Sequence, residues 1–167
     1  VERSSSSVRV MTGINPQCFE WKLEQGGKFE SPESVMTFSD RGFNGASQNF
    51  HDFINRHIVR GDWKGKERPV LLNSWEACFF DFTQGRLMRL ARKAKALGVE
   101  LFVLDDGWFG KRDSDNAGLG DYHVNRRKLP RGLAAFAAKI NKLGMAFGLW
   151  FEPEMINEDS DLYRSHP

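Results

Sequence analysis

Apolar and polar positions along this chain follow two patterns, which change over near Arg68 and Pro69. Before that point the pattern is short alternation broken by Gly, Pro, Ser and Asn. Residues 8–12 and 18–23 alternate with the period of a half-buried strand, Gly26-Gly27 marks a turn, and residues 34–39 fit a further strand. Residues 42–60, with Phe50, Phe53, Ile54 and Ile58, read as a helix leading onward. After Pro69 the apolar runs become continuous. Val70-Leu71-Leu72 is a short buried strand that ends at Asn73-Ser74-Trp75-Glu76. Thr83 is placed to cap a helix that reaches about Leu97, with Leu87, Leu90, Ala91, Ala94 and Leu97 on one face and Gly98 as its stop. A strand over 100–104 follows, then a polar loop over 111–128. A helix over 131–143 stops at Gly144, and a strand over 145–151 ends at Glu152-Pro153-Glu154.

The order β-α-β-α-β predicts parallel strands joined by helical crossovers, hence an α/β fold. Two architectures satisfy it, a doubly wound sheet and the start of a (β/α)8 TIM barrel. The barrel is favoured because all three strands end in Trp and carboxylate groups and no glycine-rich phosphate turn is present. Three strands cannot close a barrel. The chain is therefore read as an internal segment of a longer protein. Residues 1–60 would be the end of a β-sandwich domain plus a linker, and residues 61–167 the first three βα units.

Composition changes this picture little. The formal net charge of +2 comes from 24 basic and 22 acidic residues that are spread rather than gathered, which argues against a nucleic-acid partner. No stretch is long and apolar enough to span a bilayer. Cys18 and Cys78 lack metal-ligand spacing and read as buried free thiols. The candidate chemistry lies at the strand ends: Trp75 with Glu76, Asp105 and Asp106 with Trp108, and Trp150 with Glu152 and Glu154. In a parallel barrel these share one rim. Indole faces stack on the C–H face of a pyranose, and carboxylates accept hydrogen bonds from its hydroxyls. Each group also has a plain structural reading: a Trp that only packs, an Asp-Asp-Gly that only turns, and acids Asp113, Asp115 and Asp121 that only solvate a loop.

Several motifs together resemble the microbial α-galactosidases of glycoside hydrolase family 36: Leu71-Leu72-Asn73-Ser74-Trp75-Glu76, Leu104-Asp105-Asp106-Gly107-Trp108-Phe109-Gly110, Leu119-Gly120-Asp121-Tyr122, Gly148-Leu149-Trp150-Phe151-Glu152-Pro153-Glu154 and Ser165-His166-Pro167. The resemblance is dense from Pro69 onward and extends upstream through Trp21 and His51. Ala46 stands where the family commonly has Met. The resemblance implies that Asp105 and Asp106 bind galactose hydroxyls and that Trp75 and Trp150 line the pocket. It also implies a retaining double displacement on melibiose- or raffinose-type oligosaccharides, with no metal or organic cofactor. The nucleophile and the acid/base would lie beyond Pro167, since no Lys-Trp-Asp motif occurs here. Asp105 and Asp106 are not that pair, because sequence neighbours leave no room for a substrate between them. Tetrameric assembly and a cytoplasmic location are further implications. The alternatives are an α-N-acetylgalactosaminidase or galactosyl transferase of the same family, or a non-catalytic carbohydrate-binding barrel.

Overall fold

The structure, a computed structural model, describes residues 1–167 in two compact units, Val1–Lys66 and Glu67–Pro167. In the first unit, β1 (Glu2–Arg3) pairs antiparallel with β2 (Val8–Arg9), closed by a turn in which the Ser4 N–H donates to the Ser7 carbonyl at 2.9 Å. Helix α1 (Gly42–Phe53) runs into a π-helical turn over Ile54–Ile58. Gly45 is the one buried residue of this unit, at a place where a Cβ would stand 2.3 Å from Ser39 Oγ.

The alternating stretches at 18–23 and 34–39 form no strand, and Cys18 is exposed rather than buried. Alternation says which face a strand would bury. A strand still needs a second strand for its ladder and a layer to cover that face, and these stretches have neither.

In the second unit the strands β3 (Leu71–Asn73), β4 (Leu101–Leu104) and β5 (Ala146–Leu149) pair in parallel in sequence order. Between β3 and β4 come the single turn α2 (Trp75–Cys78) and helix α3 (Gln84–Ala96). Helix α4 (Gly132–Lys142) lies between β4 and β5, and α5 (Asp161–Ser165) follows β5. Thr83 caps α3 by accepting from the Arg86 N–H, and Gly98 and Gly144 take positive φ after the two long helices, as their sequence signals require.

The sheet has two unlike faces. Phe102 and Leu104 are fully buried, and Phe102 and Phe147 each meet the ring of Phe136 from α4 edge-on. The core continues through Leu87, Ala91, Leu129 and Ile140. On the opposite face Leu71 is 51% exposed and Leu101, Val103 and Gly148 are half-buried. Parallel sheets ordinarily carry cover on both faces. Here the helices supply it on one.

Candidate carbohydrate site at the strand ends

Register brings the ends of the three strands to one depth. Asn73, Val103 and Gly148 form a single paired row across the three strands. Two residues on in sequence stand Asp105 and Trp150, just past the ends of β4 and β5, and Trp75, the first residue of α2. With strands about 4.8 Å apart, the row spans roughly 10 Å from β3 to β5. All three residues are half-buried, the state expected of side chains that pack and still meet a solute.

Hydrogen bonds tie this row together. The Asn73 side-chain oxygen accepts the Trp75 N–H at 2.7 Å, and its amide nitrogen donates to Asp105 Oδ2. One amide, which is both donor and acceptor, thus fixes the start of α2 and the Asp105 carboxylate. The Asp105 N–H donates to Ser74 Oγ at 3.1 Å, and its Oδ1 accepts the Asp106 N–H at 2.7 Å. Trp75 packs edge-on against Phe79 and Phe80, and Phe79 holds φ 44°, a costly value for a side chain with a Cβ. On β5, the Trp150 N–H donates to the Leu104 carbonyl at 3.0 Å, and its ring lies parallel to Phe109 at 6.4 Å.

Asp106 differs from its neighbour. It is 5% exposed and faces Arg112, itself 4% exposed. Arg112 Nε donates to both carboxylate oxygens at 3.0 Å, Nη2 donates to Oδ2 at 2.8 Å, and the Gly107 N–H donates to Oδ1 at 2.6 Å. Arg112 Nη1 turns the other way, to the carbonyls of Ser114, Asp115 and Ala117 and to Asn157 Oδ1. A carboxylate has about four lone-pair positions. Most of those on Asp106 are engaged within the protein, so Asp106 anchors the loop first and has little left for a hydroxyl. Gly107 makes this turn possible: its φ is +89°, and a Cβ would meet Phe80 and Phe82 at 3.2 Å.

The remaining acids of the loop have structural uses. Asp113 pairs with Lys128 at 2.7 Å, and that hydrogen bond holds its carboxyl below the usual range. Asp121 accepts the N–H groups of Asp161 and Leu162 at 3.0 Å each and so caps α5. Glu76 and Glu154 are exposed, and Glu152 is half-buried. Trp108, which the sequence groups with the rim, is a core residue at 2% exposure. Burial pushes the Cys78 thiol above its ordinary value, which suits an inert packing residue.

Pattern reading missed Asn73, Arg112, Tyr122, Lys128 and Asn157 as site-forming residues. Only Asn73 had a local signal, as a polar residue closing an apolar strand. The others act across long separations or inside an irregular loop.

The Melibiase family model matches residues 28–167. The chain is 52% identical over 161 residues to alpha-galactosidase AgaA of Geobacillus stearothermophilus, covering 96% of this chain and 22% of that protein. It is 51% identical over 168 residues to alpha-galactosidase Mel36A of Lactobacillus acidophilus, covering 100% of this chain and 23% of that one. A crystal structure of an AgaA variant from glycoside hydrolase family 36, in complex with raffinose, superposes with a TM-score of 0.79 at 52% identity, over 93% of this chain and 22% of that one. The chain therefore spans between a fifth and a quarter of the length of these relatives.

Proposed function

The chain belongs to the Melibiase family, and from that premise we propose that it builds one side of the galactose subsite of a retaining α-galactosidase. The grouping of Trp75, Asp105 and Trp150 just beyond three adjoining strand ends carries this reading. Two indoles flank a half-exposed carboxylate, giving a pyranose an apolar face and an acceptor for its hydroxyls. Asp105 is the main hydroxyl acceptor. Asp106 contributes at most one remaining lone pair and holds the backbone beneath its neighbour.

The architecture proposed is the opening of a (β/α)8 barrel over residues 61–167, preceded over 1–60 by the end of a β-sandwich domain. The half-exposed sheet face supports the barrel, since in a barrel it would look into the lumen and its rim residues would point at the substrate. Retention requires two carboxylates about 5–5.5 Å apart on either side of the glycosidic bond. Asp105 and Asp106 do not form such a pair, because Asp106 is bound to Arg112. The nucleophile and the acid/base are therefore assigned to positions beyond Pro167. The substrates proposed are terminal α-galactosides of the raffinose class, the sugar bound in the related structure.

The natural polypeptide carrying this sequence is the molecule to assay, with raffinose and a chromogenic α-galactoside against the matching β-galactoside. Selective release of α-linked galactose, lowered at least tenfold in kcat/KM by Asp105→Ala, is expected from the loss of about 1.4 kcal/mol or more of binding. Equal rates with Ala at 105, or no preference for the α anomer, would reject the assignment.

A further inference from the structure

We infer that Tyr122 and Trp108 are positioning residues that hold the Trp150 indole in place for the sugar, an inference that rests on Trp150 lining the galactose subsite.

Trp150 stands where the ladder ends. Its N–H makes the last bond to β4, and the backbone beyond it has no strand to pair with. The loop between β4 and α4 supplies the missing partners. Trp108 Nε1 donates to the Trp150 carbonyl at 3.0 Å. The Tyr122 hydroxyl donates to the Glu152 carbonyl at 2.7 Å and accepts the Glu152 N–H at 3.3 Å. One hydroxyl thus satisfies both backbone polar groups of one residue. Between these two anchors, Phe151 contacts both rings, at 5.2 Å from Trp108 and 5.2 Å from Tyr122.

The platform beneath is itself fixed. The Asn125 N–H donates to the Trp108 carbonyl at 2.9 Å, the Gly110 N–H donates to the His123 carbonyl at 2.7 Å, and Phe109 and Val124 form an antiparallel bridge. Burial raises the Tyr122 phenol above its ordinary value. Binding groups act well only when held within about half an ångström of their working position. The three latch bonds restrain the backbone on both sides of Phe151, immediately after the indole that receives the sugar.

The test uses the natural polypeptide carrying this sequence, with galactose titrated by calorimetry and a chromogenic α-galactoside for kinetics. Tyr122→Phe removes both hydroxyl bonds and keeps the ring. Galactose affinity is expected to fall about three- to tenfold, with KM rising in step and kcat within about twofold, because a stacking surface serves ground and transition states alike. Trp108→Phe, which removes the indole donor, should act in the same direction. The decisive readout is coupling: in a Trp150→Ala background, Tyr122→Phe should add less than about twofold. Full additivity, or unchanged affinity in both Tyr122→Phe and Trp108→Phe, would overturn the latch. If Trp150→Ala weakens galactose while the latch variants do not, the latch alone fails. If the unmodified protein binds no galactose, the galactose reading itself fails.

Discussion

The two units of this chain use hydrophobic residues in opposite ways. In Val1–Lys66, Trp21, Met36, Phe38 and Phe43 are each at least 60% exposed, and charged pairs such as Lys22–Glu24 lie in solvent. In Glu67–Pro167, Phe102, Phe109, Phe136 and Leu129 are fully buried, and even an ion pair, Asp106–Arg112, is taken out of water. The same residue types occur in both, so composition does not set the difference. Partners do. A strand that finds neighbours on both sides, as β4 does, fixes its register and lends it to the residues beyond its end. An alternating stretch with no neighbour has nothing to fix it.

That contrast can be tested by removing single charges, two in the second unit and one in the first. Arg112→Met should give the largest effect, because it strands the buried Asp106 carboxylate. A loss of about 3–5 kcal/mol is expected in denaturant unfolding. A loss under about 1 kcal/mol would mean that Asp106 and Arg112 are far less dry than the structure has them.

A middle effect should come from the partly exposed Asp113–Lys128 pair. Its hydrogen bond depresses the Asp113 pKa in the folded state, so its contribution is present above the ordinary carboxylate range and is lost as pH falls through the depressed value. Asp113→Asn should therefore be destabilising at neutral pH, and its deficit against the unmodified protein should shrink on acidification. A deficit that stays constant from neutral to acid pH would remove the ionic explanation.

Lys22→Ala should give the smallest effect. It breaks a solvent pair whose side chains are 85% and 72% exposed, and a change near zero is expected in the same unfolding experiment. A large effect there would show that the first unit relies on its surface charges, which would dissolve the contrast between the units.

Much of the candidate site was legible in the residues. The apolar runs that lead into Trp75, Asp105 and Trp150 point to one rim, and parallel pairing brings their last shared row, Asn73, Val103 and Gly148, to one depth. The caps at Thr83, Gly98 and Gly144 follow local rules that a chain obeys without long-range help. Less was legible in the division of labour at the rim. Asp105 and Asp106 are chemically identical neighbours. Only the position of Arg112, six residues on and folded back into the core, makes one of them an anchor and leaves the other half-exposed. Trp108 and Trp150 likewise look interchangeable as aromatics at strand ends, yet one is core and the other rim.

What the sequence alone determined is periodic and local: the helix faces, the caps, the parallel βαβ order and the row of polar ends, since each depends on residues a few positions apart. The tertiary structure alone decided which carboxylate is paired inside the protein, which indole is left half-buried at the strand ends, and which loop residues bond to the backbone after β5. Those outcomes depend on hydrogen bonds between groups as far apart as Trp108 and Trp150, and on which surfaces the fold closes to water.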